Sequence, residues 1–187
     1  APPRSAGRFW LLLLLPLVVG GGLRIVCGLI DDTPTTDATA YLRSGESIWE
    51  GNGFRREGEP ELHFPPLIPV LLGGAAEVFG DPLTGLVVVT IVTGTLALVP
   101  LAGVGRFLGG DRSGLAVAWV GALCPALTTV ASNQGGGSEG PYLLLVLSGL
   151  WLALLTTRRR GAAAWAGALG AGLCTGLAYL MRPEGIF

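Results

Sequence analysis

Apolar residues in this chain run in long unbroken blocks, not at the three- and four-residue spacing of a half-buried soluble helix. Four blocks carry no charge: Leu83 to Val104, Gly114 to Ser132, Pro141 to Thr157 and Gly161 to Met181. Each is close to the ~20 apolar residues that cross a hydrocarbon core, with roughly 17 to 25 tolerated. A further block, Phe9 to Ile30, is interrupted only by Arg24, near one end, where its long side chain is expected to snorkel to the headgroups. The pattern predicts an all-α fold, a polytopic transmembrane helix bundle with about five spans. They are 9–30, 83–104, 114–132, 141–157 and 161–181, with one long loop over 31–82. The first block also has the Arg4 and Arg8 start of a signal peptide. Its apolar stretch continues past any plausible cleavage point, so an uncleaved span is expected. Gly172 and Gly176, four apart in the last span, predict a close helix approach.

Two shorter apolar patterns lie inside the long loop. From Asp37 to about Glu50 the spacing is helical, with Ala38, Tyr41, Gly45, Ile48 and Trp49 on one face. Such a helix is expected to lie in the interface with Tyr41 and Trp49 at headgroup level, and Gly51-Asn52-Gly53 ends it. A second piece, His63 to Ala76, is too short to span and holds three prolines, Pro65, Pro66 and Pro69. It predicts a re-entrant or interfacial helix starting after the Pro-Pro pair. Together the two would roof the bundle, an arrangement for handling a ligand at the membrane surface.

Charge fixes the expected orientation. Only 13% of residues are charged, about half the share of a soluble domain, and the two signs are segregated. All 12 basic residues are arginine. Arg4 and Arg8 precede the first span, Arg106 and Arg112 join the second and third, and Arg158 to Arg160 join the fourth and fifth. Placing these short segments inside satisfies the positive-inside rule and leaves every acid but Asp111 outside. The N-terminus is then cytoplasmic, and the external loop holds 8 acids and 3 arginines before Phe64. Isolated arginine clusters of this kind carry no nucleic-acid signature. The three cysteines, Cys27, Cys124 and Cys174, each lie in an apolar run. They read as packing residues, not as a disulfide framework or metal site. A start without Met and a stop at Phe187, just after an apolar helix, read as the N-terminal part of a longer protein.

Several pieces taken in order carry a resemblance. Asp37-Ala-Thr-Ala-Tyr41-Leu, Gly51-Asn-Gly53-Phe and Phe64-Pro-Pro-Leu-Ile-Pro69 resemble the first-loop pattern of GT-C glycosyltransferases. More narrowly they are similar to the branch of protein O-mannosyltransferases and lipid A sugar transferases. Ser138-Glu139-Gly-Pro-Tyr142 and Leu180-Met181-Arg182-Pro183-Glu184-Gly185 fit the same pattern. The resemblance implies an integral membrane enzyme, expected in a bacterial inner or cell membrane. It would transfer a sugar from a polyprenyl-phosphate donor to a hydroxyl of a glycan, lipid or protein acceptor, with inversion. Membrane lipids are its other expected partners, and nucleic acid is not one. Asp31-Asp32 is not the Asp-x-Asp arrangement of some GT-C enzymes, which argues against metal assistance. No cofactor is expected, with a divalent metal as the open alternative.

Within that chemistry Asp37 is the candidate base, because an ionised carboxylate accepts a hydroxyl proton once in hydrogen-bond reach. Its competing explanation is a helix N-cap. Asp31 and Asp32 are weaker candidates for positioning acceptor or sugar, against the default of solvated loop acids. Glu139, in the Gly-rich segment 133–140, could orient acceptor or sugar, or simply complement the dipole of the next helix. Arg182 at the end of the last span could hold the lipid phosphate, with Glu184 as its pair, or serve as an interfacial anchor. His63, the single histidine, reads as a solvated loop residue. Two other functions fit less well. A transporter or flippase places its ionisable groups within the spans, whereas here they gather outside. A noncatalytic scaffold gives no reason for two carboxylates and an arginine in these places.

Overall fold

The computed structural model describes residues 6–30, 33–129 and 137–182. Among them the chain is an all-α membrane bundle with one two-residue β-ladder. Its elements are α1 (Ala6–Ile30), α2 (Thr36–Trp49), β1 (Arg55–Arg56), β2 (Glu59–Pro60), α3 (Leu67–Phe79), α4 (Pro82–Leu96), α5 (Leu98–Leu123), α6 (Pro125–Thr129), α7 (Glu139–Thr156) and α8 (Ala162–Met181).

The helical course from Pro82 to Leu123 is 42 residues long, about 63 Å if straight and twice the thickness of a hydrocarbon core. It turns back on itself instead. Ala97 keeps α4 and α5 in one helical line, and Gly110 breaks that line with φ 80 and ψ −173, a conformation closed to residues with a Cβ. The arms run antiparallel, with Gly105 against Gly114 and Leu98 against Gly121. Gly110 lies between the segments expected as second and third spans. Helix α1 packs on this hairpin through Phe9 and Leu13, which are buried with Ala102 and Ala118. Helices α7 and α8 form a second hairpin, and α7 closes on α4. Four helical stretches among the described residues are long and apolar enough to cross a membrane.

Helices α2 and α3 cover one end. They cross at Gly45 and Gly73, where a Cβ on Gly45 would meet Pro69 O at 2.5 Å and Gly73 N at 2.9 Å. Trp49 reinforces the crossing by donating its indole N–H to Val70 O at 3.0 Å. Packing displaces Tyr41 from the headgroup position expected of it. The ring is 6% exposed and joins Ala38, Ile68, Leu72, Leu86 and Met181 in a shared core. Packing against α3, α4 and α8 takes the ring out of water, which for a large apolar side chain contributes about 1.5–3 kcal/mol.

Two other expectations are corrected. Arg24 does not snorkel: it is 2% exposed. Its Nη1 donates to Gly20 O at 3.0 Å, and its Nη2 to Leu127 O at 3.3 Å and Gly121 O at 3.5 Å. Carbonyls around the end of α5 offer nearer acceptors than the headgroups do. Gly172 and Gly176 make no close approach either, since a Cβ on each would meet nothing described within 4 Å. Helices α7 and α8 approach instead at Gly149, beside Thr175 and Ala171, and at Gly167, beside Thr156.

Candidate active site

Three helix ends meet beneath the α2–α3 roof. Thr35 caps α2, its side chain accepting from Ala38 N at 3.2 Å. The capping explanation of Asp37 therefore fails: Asp37 sits in the first turn, exposed, and no described residue pairs with its carboxylate. One turn further on, Tyr41 points inward. Glu139 opens α7, and Arg182 ends α8 as its C-cap, with its backbone N–H on Ala178 O. An acid at a helix N-terminus and a base at a C-terminus each suit the helix dipole. The dipole does not explain why these ends converge.

Arg182 Nη1 lies 3.0 Å from Glu139 Oε1, both side chains being about a third or less exposed. The guanidinium also lies 5.9 Å from the Tyr142 ring centroid. Glu139 Oε2 is shut off from solvent and has no hydrogen-bond partner among the described residues. An orphaned carboxylate oxygen in a half-buried site is an acceptor waiting for a donor.

Tyr41 ties the three ends together. Burial pushes its phenol above the usual tyrosine range, and the nearby charges of Asp37 and Glu139 act in the same direction. The hydrogen bond with Ser138 and the charge of Arg182 oppose this without reversing it. One side chain thus senses Asp37, Ser138, Glu139 and Arg182 at once. Sequence spacing marks Tyr41 as a helix-face residue and does not show it as the hub.

Glu61 is a second residue that sequence reading passed over. Its side chain is 2% exposed, and Oε1 accepts His63 N at 2.8 Å and Phe64 N at 3.4 Å. Arg56 Nε stands 3.0 Å from Oε2, an ion pair by distance but not a hydrogen bond by angle. These contacts set the turn that lays Phe64 edge-on against Tyr41, with centroids 4.8 Å apart. His63 is exposed beside Phe64, as a solvated loop residue would be. Asp31, Asp32 and Glu184, and residues 133–136 of the Gly-rich segment, lie outside the described residues.

The opposite end of the bundle has a different character. Arg106 pairs with Asp111 at 2.7 Å and stands over Phe9 at 4.4 Å, while Arg158 lies 3.8 Å over Phe107.

Comparison with known proteins adds the family. No curated protein and no solved structure matches the chain. The family described as dolichyl-phosphate-mannose-protein mannosyltransferase matches residues 63–187, which include the Phe64 turn, Glu139 and Arg182. The chain belongs to that family of membrane glycosyltransferases, within the GT-C superfamily.

Proposed function

We propose that the roofed end is the active site of a transferase that moves a sugar from a polyprenyl-phosphate donor to an acceptor hydroxyl, with inversion at the anomeric carbon. The observation that carries this reading is the meeting of Asp37, Glu139 and Arg182 around Tyr41, brought from three distant helix ends to one end of an apolar bundle. A site at that level takes a head group from water and a chain from the membrane.

In the proposed step Asp37 accepts the proton of the acceptor hydroxyl. The acceptor oxygen forms its bond to the anomeric carbon from the face opposite the phosphate. The carbon–oxygen bond to phosphate breaks, and the electron pair leaves with polyprenyl phosphate. That group gains a negative charge as it departs, and Arg182 stabilises it. Glu139 holds the Arg182 guanidinium with one oxygen and offers the other to a hydroxyl of acceptor or sugar. Asp31 and Asp32 are second candidates for that positioning. Arg106, Arg112 and Arg158 to Arg160 gather at the far end, so the positive-inside rule puts that end in the cytoplasm and the site on the external face.

The test is transfer from labelled polyprenyl-phosphate sugars by the full-length protein in lipid, wild type against Asp37→Asn. Removing a general base is expected to slow transfer by about 10²–10⁴-fold, with unchanged thermal unfolding. Transfer that survives in the folded variant moves the base to Asp31, Asp32 or Glu139. A wild type that transfers nothing across a broad donor and acceptor panel overturns the reading in favour of a transporter or scaffold.

A further inference from the structure

Arg24 is a charge that the proposed reaction does not use. It lies six residues before the end of α1, about 9 Å of helix rise below it, inside an apolar span. Its guanidinium donates to the carbonyl oxygens of Gly20, Gly121 and Leu127, and no described carboxylate forms an ion pair with it. Carbonyls at the end of α5 supply only about half an elementary charge, so a net positive charge stays in the bundle. Its Nε, shielded from solvent, has no hydrogen-bond partner among the described residues. Ionisable groups placed this way inside a membrane protein are costly and mark binding or transport sites.

Beside the guanidinium lies a cavity of about 170 Å³, lined by Arg24, Gly94, Leu98, Leu127, Gly140 and Leu143. By volume it holds about six waters, but its walls are apolar apart from the arginine. An apolar wall disfavours water, and a buried cation without a counter-ion disfavours a purely apolar guest. Gly140 follows Glu139 directly, so the cavity reaches the floor of the roofed site. The α7 backbone can approach α4 there because Gly140 has no side chain: a Cβ would meet Thr93 Oγ1 at 2.7 Å and Thr90 O at 3.0 Å. Gly20 leaves room for the guanidinium, since a Cβ on it would meet Arg24 Nη1 at 3.0 Å.

We infer that this cavity is a binding site for the phosphate head of a lipid, with Arg24 as counter-charge and the leucines around the first carbons of the chain. The site is separate from Arg182, and it is tested without turnover, so it stands or falls apart from the transfer reaction. Two lipids share this chemistry: a polyprenyl phosphate and an anionic phospholipid of the bilayer.

Lipid retention by the full-length protein is measured by native mass spectrometry after reconstitution in phosphatidylcholine discs. The discs carry either farnesyl phosphate or phosphatidylglycerol. The variants are Arg24→Gln, Arg24→Lys and Leu143→Trp, each checked by thermal unfolding. Leu143→Trp fills the cavity and leaves every Arg24 hydrogen bond in place, so it decides the matter if Arg24→Gln does not fold. Retention of a phosphate-headed lipid is expected to fall at least tenfold in Arg24→Gln and Leu143→Trp and to survive in Arg24→Lys. Farnesyl phosphate held preferentially assigns the site to a polyprenyl lipid; equal retention of both assigns it to bilayer phospholipid. Wild-type retention no greater than that of phosphatidylcholine, or retention unchanged in folded Leu143→Trp, overturns the inference and leaves Arg24 as a staple between α1 and α5.

Discussion

At the far end of the bundle Arg106 reaches Asp111 across 5 residues of sequence, and Arg106 and Arg158 lie on the rings of Phe9 and Phe107. At the roofed end Glu139 reaches Arg182 across 43 residues, with Tyr41 and Asp37 brought in from another part of the chain. Both ends hold an ion pair of similar length and partial burial. At the far end the pair closes on itself around a turn and stacks against rings. At the roofed end a carboxylate oxygen is left over, beside an exposed acid whose carboxylate forms no ion pair with a described residue. Charge that satisfies itself locally sets topology; charge held together by the whole fold, and incompletely satisfied, is available for chemistry.

The sharpest way to break this comparison is to remove the arginine at each end. Arg182→Gln is expected to lower transfer by about 10²–10³-fold, the usual cost of losing a group that stabilises developing charge. Arg106→Gln is expected to leave transfer within a few-fold and to change stability by about 1 kcal/mol or less, as for partly exposed pairs. The measurement is transfer rate and unfolding temperature for both variants in the same lipid. Equal loss of transfer at both ends would mean that the roofed pair is no more than a structural tie.

The helix crossing under the roof offers the next largest contrast. Gly73→Ala would push a Cβ to 2.6 Å from Trp49 Cδ1 and 2.7 Å from Gly45 C, and backbone on one side cannot swing away. Overpacking of this kind costs about 1–3 kcal/mol. Gly172→Ala, with nothing described within 4 Å, gains helix propensity instead and is expected to be neutral or stabilising by up to about 1 kcal/mol. Thermal unfolding of the two variants checks the order, and a stability loss in Gly172→Ala larger than in Gly73→Ala reverses it.

That glycine contrast also shows what could be read from sequence and what could not. Long apolar blocks and arginine placement give an all-α membrane bundle, because length and charge act on each segment separately. The roof helices were legible for the same reason: period for α2, and the Pro65-Pro66 start for α3. Pairings between segments were not legible. Gly172 and Gly176 have the spacing of a packing motif yet face open space, whereas Gly45 and Gly73, 28 apart in sequence, make the contact. Arg24 looked like a snorkelling side chain because sequence does not show the carbonyls freed by the end of α5. Glu61 was one of the eight acids that precede Phe64 in its loop, and its burial depends on how the β1–β2 turn folds over it. Asp37, Glu139 and Arg182 could be named as candidates from motif order, but their convergence on Tyr41 is a property of the fold.

Tyr41 gives the smallest effect and the one most specific to the roofed end. Its ionisation is pushed upward in the folded protein, by burial first and then by Asp37 and Glu139. A group whose folded pKa is raised keeps its full contribution below the unfolded value, about 10 for tyrosine. That contribution is lost as pH climbs through the folded value. Between pH 6 and pH 9, stated roughly, Tyr41 therefore adds no slope to stability. Above about pH 10 the wild type is expected to lose stability in excess of Tyr41→Phe. At neutral pH the variant lacks the bond with Ser138 and is expected to be about 0.5–1.5 kcal/mol less stable, so the two curves converge in alkali. Unfolding temperature from pH 7 to pH 11 for both proteins checks this. Parallel curves would mean that Tyr41 is not buried among those charges, and the site would lose the side chain that joins its three helix ends.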